Sequence, residues 1–228
     1  MKSMLYIVST PIGNLKDMTF RAVETLKTVS LIAAEDTRHT KILLDHYGIT
    51  TTTTSYYDQN ERVKSQHILS LLKDGKDVAL VSDAGTPGIS DPGFVLVRLA
   101  QENGIPVCVV PGACAAVAAL SASGLPSHAF IFEGFLPVKS AARRKKLETF
   151  KEESRTLIFY ESPYRILKTL EDIVDVLENP TIVCAREITK KFEEIKKGPA
   201  QDLLKHFTAH PPKGEFVLLL STGRSSNA

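Results

Sequence analysis

D-V-A-L-V-S-D-A-G-T-P-G-I-S-D-P-G-F-V-L-V-R-L-A-Q-E, running from Asp77 to Glu102, holds the unit from which the fold follows. Asp77–Val81 is a short apolar run with the composition of a buried strand, and Phe94–Glu102 reads as a helix. The connection Ser82–Gly93 carries Gly85, Gly88 and Gly93 with Pro87 and Pro92, which is turn chemistry. A second buried run, Ile105–Val110, follows and completes a strand–helix–strand unit. Working outward, Leu5–Val8 and Ser30–Ala34 read as two more strands, and Thr51–Tyr57 as a β-branched, aromatic fifth. Between them, Asp17 or Thr19 caps a helix through Leu26 with Phe20, Val23 and Leu26 as its apolar stripe. A helix over Thr37–Tyr47 closes at Gly48, and Glu61–Lys73 turns Val63, Ile68, Leu69 and Leu72 inward. Strands separated by helices require right-handed crossovers and a mostly parallel sheet.

A small-residue helix and the turn-rich Ser121–His128 follow, so the chain is expected to divide into residues 1–122 and 126–228. Beyond the boundary, strands are expected at Ala129–Glu133, Thr156–Tyr160, Thr181–Arg186 and Glu215–Leu220, with a further one over Phe192–Lys197. Helices are expected at Ala141–Lys151, Pro163–Leu177 and Gln201–Phe207.

At 228 residues, 43% hydrophobic and 24% charged, the chain has the composition of an ordinary globular protein, which excludes a disordered chain, collagen or a small disulfide scaffold. Net charge +2 gives no global basicity, but the halves differ: 11 basic against 12 acidic residues up to Leu125, 17 against 14 beyond. Cys108, Cys114 and Cys184 are odd in number and lack C-x-x-C spacing, as reduced thiols of a cytosolic protein would. Met1–Val8 runs into Pro11 and Gly13 without a cleavage pattern. The apolar stretch Val107–Ala122 is cut by Pro111-Gly112. A soluble, cytoplasmic protein with no membrane partner is expected.

In a parallel sheet, ligands bind at the carboxyl ends of strands. Ser82–Gly93 sits at such an end, as do Pro111-G-A-C-A-A and Ser9-T-P-I-G-N-L. None is a phosphate-binding G-x-x-x-x-G-K-[ST] loop or a dinucleotide G-x-G-x-x-G, so nucleotide hydrolysis and nicotinamide binding lose ground. In the long loop, Asp91 could simply cap the next helix. Glu35-D-T-R-H-T follows the second strand; Asp36 or Thr37 suits an N-cap, while Glu35, Asp36 and Arg38 could equally supply a base and a phosphate- or ribose-facing cation. His206 and His210 have helical pair spacing but run into Pro211-Pro212 with no third ligand nearby, so no metal is expected. Cys114 reads as small apolar packing. Lys139-S-A-A-R-R-K-Lys146 is either a solvated helix face or a phosphate-tracking patch, and Tyr56, Tyr57, Phe132, Phe135 and Tyr160 are core residues or base-stackers.

Nine motifs stand in order from Leu5 to about Leu220. They are V-S-T-P-I-G-N-L-x-D-M-T (Val8–Thr19), A-E-D-T-R-x-T (Ala34–Thr40), S-D-A-G-T-P-G-I-S-D-P-G (Ser82–Gly93), P-G-A-C-A (Pro111–Ala115), G-L-P (Gly124–Pro126), E-G-F-L-P (Glu133–Pro137), Y-E-S-P-Y-R (Tyr160–Arg165), A-R-E-I-T-K-x-F-E (Ala185–Glu193) and K-G-E (Lys213–Glu215). Together they resemble the small-subunit ribosomal RNA 2′-O-methyltransferase I group of the tetrapyrrole methylase family. The resemblance implies an α/β fold of two domains. The first has a five-stranded, mostly parallel sheet with helices on both faces, and the second a mixed sheet with helices. It implies a homodimer that folds S-adenosylmethionine into the cleft between the domains and methylates a cytidine 2′-hydroxyl in the decoding centre of 16S rRNA. By the same analogy Ile12, Asp83, Ala84, Gly85, Thr86, Ile89, Cys114 and Ala115 line the cofactor, and Tyr160, Ala185 and Lys213 close over it.

On this reading Glu35 and Asp36 are candidates for the base, with Arg38 or Lys190 on a phosphate, and Lys139, Arg143, Arg144, Lys145 and Lys146 track RNA. Methylation of a small tetrapyrrole-type molecule would not need the basic run, and a non-catalytic small-subunit assembly factor would not need intact glycine loops.

Overall fold

The computed structural model describes residues 3–222, which divide between Cys114 and Ala115 into two compact units. The first contains β1 (Leu5–Val8), α1 (Phe20–Thr28), β2 (Leu31–Ala34), α2 (Thr37–His46), β3 (Thr53–Ser55), α3 (Glu61–Lys73), β4 (Val78–Val81), α4 (Phe94–Glu102) and β5 (Val107–Val110). All five strands are parallel in the order β3-β2-β4-β1-β5. The central strand β4, V-A-L-V, is buried at every position, as a strand covered on both faces must be. Its side chains alternate. Ala79 and Val81 join a core with Ala22, Leu26 and Leu44 of α1 and α2, whereas Val78 and Leu80 join Ile68, Leu72, Leu96 and Ala100 of α3 and α4. Each fully buried Leu, Ile or Val contributes about 1.5–3 kcal/mol.

Two helix faces differ from expectation. Thr19 caps α1 by accepting the Ala22 amide, and this phase turns Ala22, Thr25, Leu26 and Val29 inward at i, i+3, i+4, i+7; Phe20 stands 91% exposed. In α3 the buried series is Ser65, Ile68, Leu69 and Leu72, and Val63 faces out. Ser65 occupies a core position because its hydroxyl bonds the buried Tyr56 hydroxyl at 3.0 Å.

The second unit contains α5 (Ala115–Ser123), β6 (Phe130–Phe135), α6 (Ser140–Glu148), β7 (Thr156–Glu161), α7 (Ile166–Leu177), β8 (Thr181–Arg186), β9 (Glu194–Pro199), α8 (Ala200–Ala209) and β10 (Phe216–Ser221). Its sheet is mixed, in the order β6-β7-β10-β8-β9, with only β6 and β7 parallel. α5 packs on β10 and β7, so the small-residue helix counts with this unit and the division falls ahead of it. α6, α7 and α8 pack in a row, and the main core runs from Leu147 and Phe159 through Leu170 and Ile173 to Phe207 and Leu218.

Candidate active site of the first unit

Three connections at the carboxyl edge of the parallel sheet are joined by hydrogen bonds. After β1 and β4, Thr10 and Gly85 exchange backbone bonds, Thr10 N–H to Gly85 O at 2.8 Å and Gly85 N–H to Thr10 O at 3.1 Å. The Thr10 hydroxyl donates to Ser82 O at 3.1 Å. Ser9 and Thr86 hydroxyls lie 2.9 Å apart, and the Thr86 hydroxyl donates at 3.1 Å to Ala113 O in the connection after β5. Gly85 sits where these paths converge, with φ +92°; a Cβ there would stand 3.4 Å from Ile12 Cγ2 and 3.6 Å from Ala113 O. A side chain would be strained by the backbone and would fill the space shared by the three loops. Ile12, Asp83, Thr86 and Cys114 are half-buried around it, while Ala84, Gly88 and Ile89 are exposed. The structure thus gathers the expected residues of this unit, together with Ser9 and Thr10. Those two were not singled out, although hydroxyls directly after a buried strand are a signal for loop pinning.

The connection after β2 is latched to the same loop reciprocally. Asp83 Oδ1 accepts the Asp36 amide at 3.0 Å, and Glu35 Oε2 accepts the Asp83 amide at 3.4 Å. The two neighbouring acids have opposite environments. Asp36 caps α2 through the Arg38 amide at 2.8 Å and takes Arg38 Nε and Nη2 at 3.1 and 2.7 Å. The guanidinium therefore holds its carboxyl far below the usual carboxylate range. Such a carboxylate is a weak base, so Asp36 is a structural cap and a holder of Arg38. Glu35 is pushed up by burial, reinforced by the charges of Asp83, Asp58 and Asp36 and opposed by its bond from the Asp83 amide. Asp91 does not cap α4, whose N-cap is Gly93. Burial, then the charge of Glu35, push it up to about 7, although it bonds Ser82. Neighbouring acids driven in opposite directions make Glu35 and Asp91 the candidates for proton transfer here.

In the second unit Tyr160, at the end of β7, accepts the Ala116 amide at the start of α5 at 3.3 Å and meets Phe132 and Phe135 edge-on. Ala115 opens that helix, and Lys213 is exposed ahead of β10. Ala185 is fully buried between β10 and β9, so its side chain offers no surface to a ligand.

The basic run on α6 separates into different fates. Arg143 is buried, its Nε and Nη2 both 2.7 Å from Asp172 Oδ2, and its Nη1 donates to Val138 O at 3.2 Å. It is a core ion pair and not a phosphate contact. Arg144 bridges Asp172 and Asp175, and Lys146 pairs Glu133 at 2.8 Å. Lys139 and Lys145 are exposed. The Lys190 ammonium lies 2.9 Å from Glu187 and 3.0 Å from Glu215, so its charge is shared between two carboxylates. Gly214 permits that cluster: its φ is +83°, and a Cβ there would fall inside the Glu187 carboxylate. Among the described residues no group of three or more His, Cys, Asp or Glu is arranged to hold a metal, and no helix is long and apolar enough to cross a membrane.

Residues 4–204 match the family model described as Tetrapyrrole (Corrin/Porphyrin) Methylases. The chain is 56% identical, over 95% of its length and 78% of the relative's, to ribosomal RNA small subunit methyltransferase I of Haemophilus influenzae. It is 53% identical to the protein of the same name from Escherichia coli O157:H7, over 96% of this chain and 78% of that one. Among solved structures, a cobalt precorrin-4 methyltransferase of cobalamin biosynthesis superposes with TM-score 0.71 at 17% identity, covering 96% of this chain and 94% of that one, a likeness of fold. With five parallel strands in one unit, a mixed sheet in the other and relatives this similar over nearly its whole length, the chain belongs to the S-adenosylmethionine-dependent tetrapyrrole methylase family, in its ribosomal RNA small subunit methyltransferase I group.

Proposed function

We propose that this protein methylates the ribose 2′-hydroxyl of a cytidine in the decoding centre of 16S rRNA, acting on the small ribosomal subunit as a cytoplasmic homodimer. The names of its relatives support the RNA class of substrate. The observation that carries the chemistry is the reciprocal latch between Glu35-Asp36 and Asp83, which fixes a carboxyl of raised proton affinity beside the glycine loop.

The residues present suit the family's cofactor. Gly85 leaves open the space a Cβ would fill, Ile12 and Ile89 supply apolar surface, and the loop backbone from Asp83 to Thr86 supplies polar groups. S-adenosylmethionine, when bound, brings a methyl carbon that is already electrophilic, so alignment and exclusion of water are the main tasks of the protein. The hydrogen bonds among Ser9, Thr10, Gly85, Thr86 and Ala113 hold the loops rigid for that alignment. With the cofactor bound, Glu35 would accept the proton that leaves the ribose hydroxyl as that hydroxyl takes up the methyl group. A positioned base contributes roughly 10²–10⁴-fold. Arg38, 90% exposed beyond its pair with Asp36, faces a phosphate, and exposed Lys139 and Lys145 add longer-range attraction.

The test is incubation with labelled S-adenosylmethionine and small subunits from a strain deleted for the gene, followed by mapping of 2′-O-methylation. Label at one decoding-centre cytidine is the expected result. Cofactor binding without RNA labelling would refute the acceptor.

A further inference from the structure

The β8–β9 connection, Glu187 to Glu193, is held in an uncommon shape. Glu187 and Thr189 are both left-handed, with φ of +51° and +67°, although neither is glycine and Thr189 is β-branched. Among the described residues the Thr189 hydroxyl, a buried atom, has no hydrogen-bond partner. Strain of this kind persists only where surrounding bonds over-determine it, and it gathers at ligand-contacting segments. Here the bonds are explicit. Lys190 N–H donates to Glu187 O at 2.9 Å, Glu193 N–H to Lys190 O at 3.1 Å, and Thr189 N–H to Glu193 Oε2 at 2.6 Å. The Lys190 ammonium, pinned by Glu187 and Glu215, ties the segment to the start of β10.

This pedestal presents Phe192, 66% exposed, with the Lys191 ammonium 5.6 Å from its ring centroid. The acidic side chains of the segment already have partners. Glu187 and Glu215 hold Lys190, Glu193 holds the Thr189 amide, and Glu194 pairs with Arg186 at 3.0 Å. An anion approaching the ring meets the Lys191 ammonium, while Glu187, Glu194 and Glu215 are engaged with cations and Glu193 with the Thr189 amide. We infer that Phe192 is a stacking platform for an unpaired nucleobase of the RNA substrate, with Lys191 on the adjoining phosphate. The inference rests on the RNA reading proposed above and adds a contact to it. An exposed aromatic face next to a cation takes any base, because every base has a π face. A platform rigid before binding loses little conformational freedom on forming the contact.

The test compares wild type, F192L, F192W and K191A as full-length protein, with labelled S-adenosylmethionine and varied concentrations of unmodified small subunits. F192L removes the ring and keeps apolar bulk, whereas F192W keeps a stacking face. Loss of one stacked base is expected to raise KM between about 5- and 150-fold in F192L with kcat little changed, since binding of ground and transition states is weakened alike. F192W is expected to stay within about threefold of wild type, and K191A to reduce the salt dependence of binding by about one counterion. Cofactor affinity, measured by calorimetry, is expected to match wild type in all three and reports that the fold is intact. F192L indistinguishable from wild type would overturn the inference while leaving RNA methylation standing. F192W as impaired as F192L would also overturn it, because a protein pocket, not a base, would then be reading the side chain. Wild type that labels no RNA would instead refute the functional reading beneath it.

Discussion

Truncating Arg143 to alanine should unfold the second unit far more readily while having little direct effect on RNA. The guanidinium side chain is 3% exposed and its partner Asp172 6%, and two of its nitrogens converge on Asp172 Oδ2 at 2.7 Å. Removing it leaves a buried carboxylate that keeps only the Ser140 hydroxyl at 3.0 Å and Arg144, itself 41% exposed. It also strips the Val138 carbonyl of its donor. Breaking a buried pair from one side costs about 3–5 kcal/mol, and the remaining Ser140 and Arg144 bonds place this case toward the lower end. At roughly 4–8 °C per kcal/mol for a unit of this size, the second unit should melt more than about 10 °C lower. Urea or thermal unfolding followed by circular dichroism reads this directly, with K145A as a control on the same helix expected within about 0.5 kcal/mol of wild type. R143M combined with D172L should recover much of the loss, because a well-packed apolar pair can replace a buried ionic one. An R143A protein as stable as wild type but weakened in binding small subunits would refute the structural role and return Arg143 to the RNA surface.

E35Q should lower kcat by roughly 10²–10⁴-fold with cofactor binding intact. Because burial raises the Glu35 carboxyl, the wild-type rate should climb with pH through a range above that of a free glutamate, and E35Q should lose this limb. Asp91, with a folded value near 7 against 3.8 ordinarily, binds its proton more tightly in the native state. Its stabilising contribution is fully present below about pH 4 and is lost as pH rises through about 7. The whole shift would amount to about 4 kcal/mol, discounted to about 1–2 for the solvent-exposed part of the group. D91N should flatten this slope in urea titrations between about pH 4 and pH 7, and an unchanged slope would remove Asp91 from the account. G214A forces a side chain into the left-handed region and into the Glu187 carboxylate, and should cost about 2 kcal/mol or more. Faster amide exchange at Thr189 and Lys190 would localise the damage.

The elements of both sheets were legible because strand runs such as V-A-L-V and the glycine turns after them are local signals. The helix faces were less so. Phe20 and Val63 look like core residues by type, but Phe20 follows the Thr19 cap onto the outer face of α1, and in α3 Ser65 holds an interior position because Tyr56 arrives from a different part of the chain to bond it. At the site, the three glycine loops announced themselves by composition. The difference between Glu35 and Asp36 did not, since it depends on Arg38 folding back on one carboxyl and on burial and neighbouring acids raising the other.

Charge fate on α6 shows the same limit and also a way past it. Read along the chain, Arg143, Arg144, Lys145 and Lys146 are four equivalent cations. What separates them is which face of the helix meets α7 and β6, and their acidic partners Asp172, Asp175 and Glu133 are distant in sequence or lie across the fold. The informative residue is on the other helix. In α7 the buried positions are Ile166, Thr169, Leu170, Ile173, Val176 and Leu177, and Asp172 falls on that same face, where an unpaired carboxylate is not tolerated. An acid in the apolar register of one helix requires a cation from a neighbour, and α6 is the basic helix that precedes it. Arg143 meets the demand because Ser140, Arg143 and Leu147 share one face of α6, at i, i+3 and i+7, with Ser140 and Arg143 both bonding Asp172. Lys145, two residues further on, points away from that face and stays in water. A basic run is therefore better read from the acids it must neutralise than from its own length.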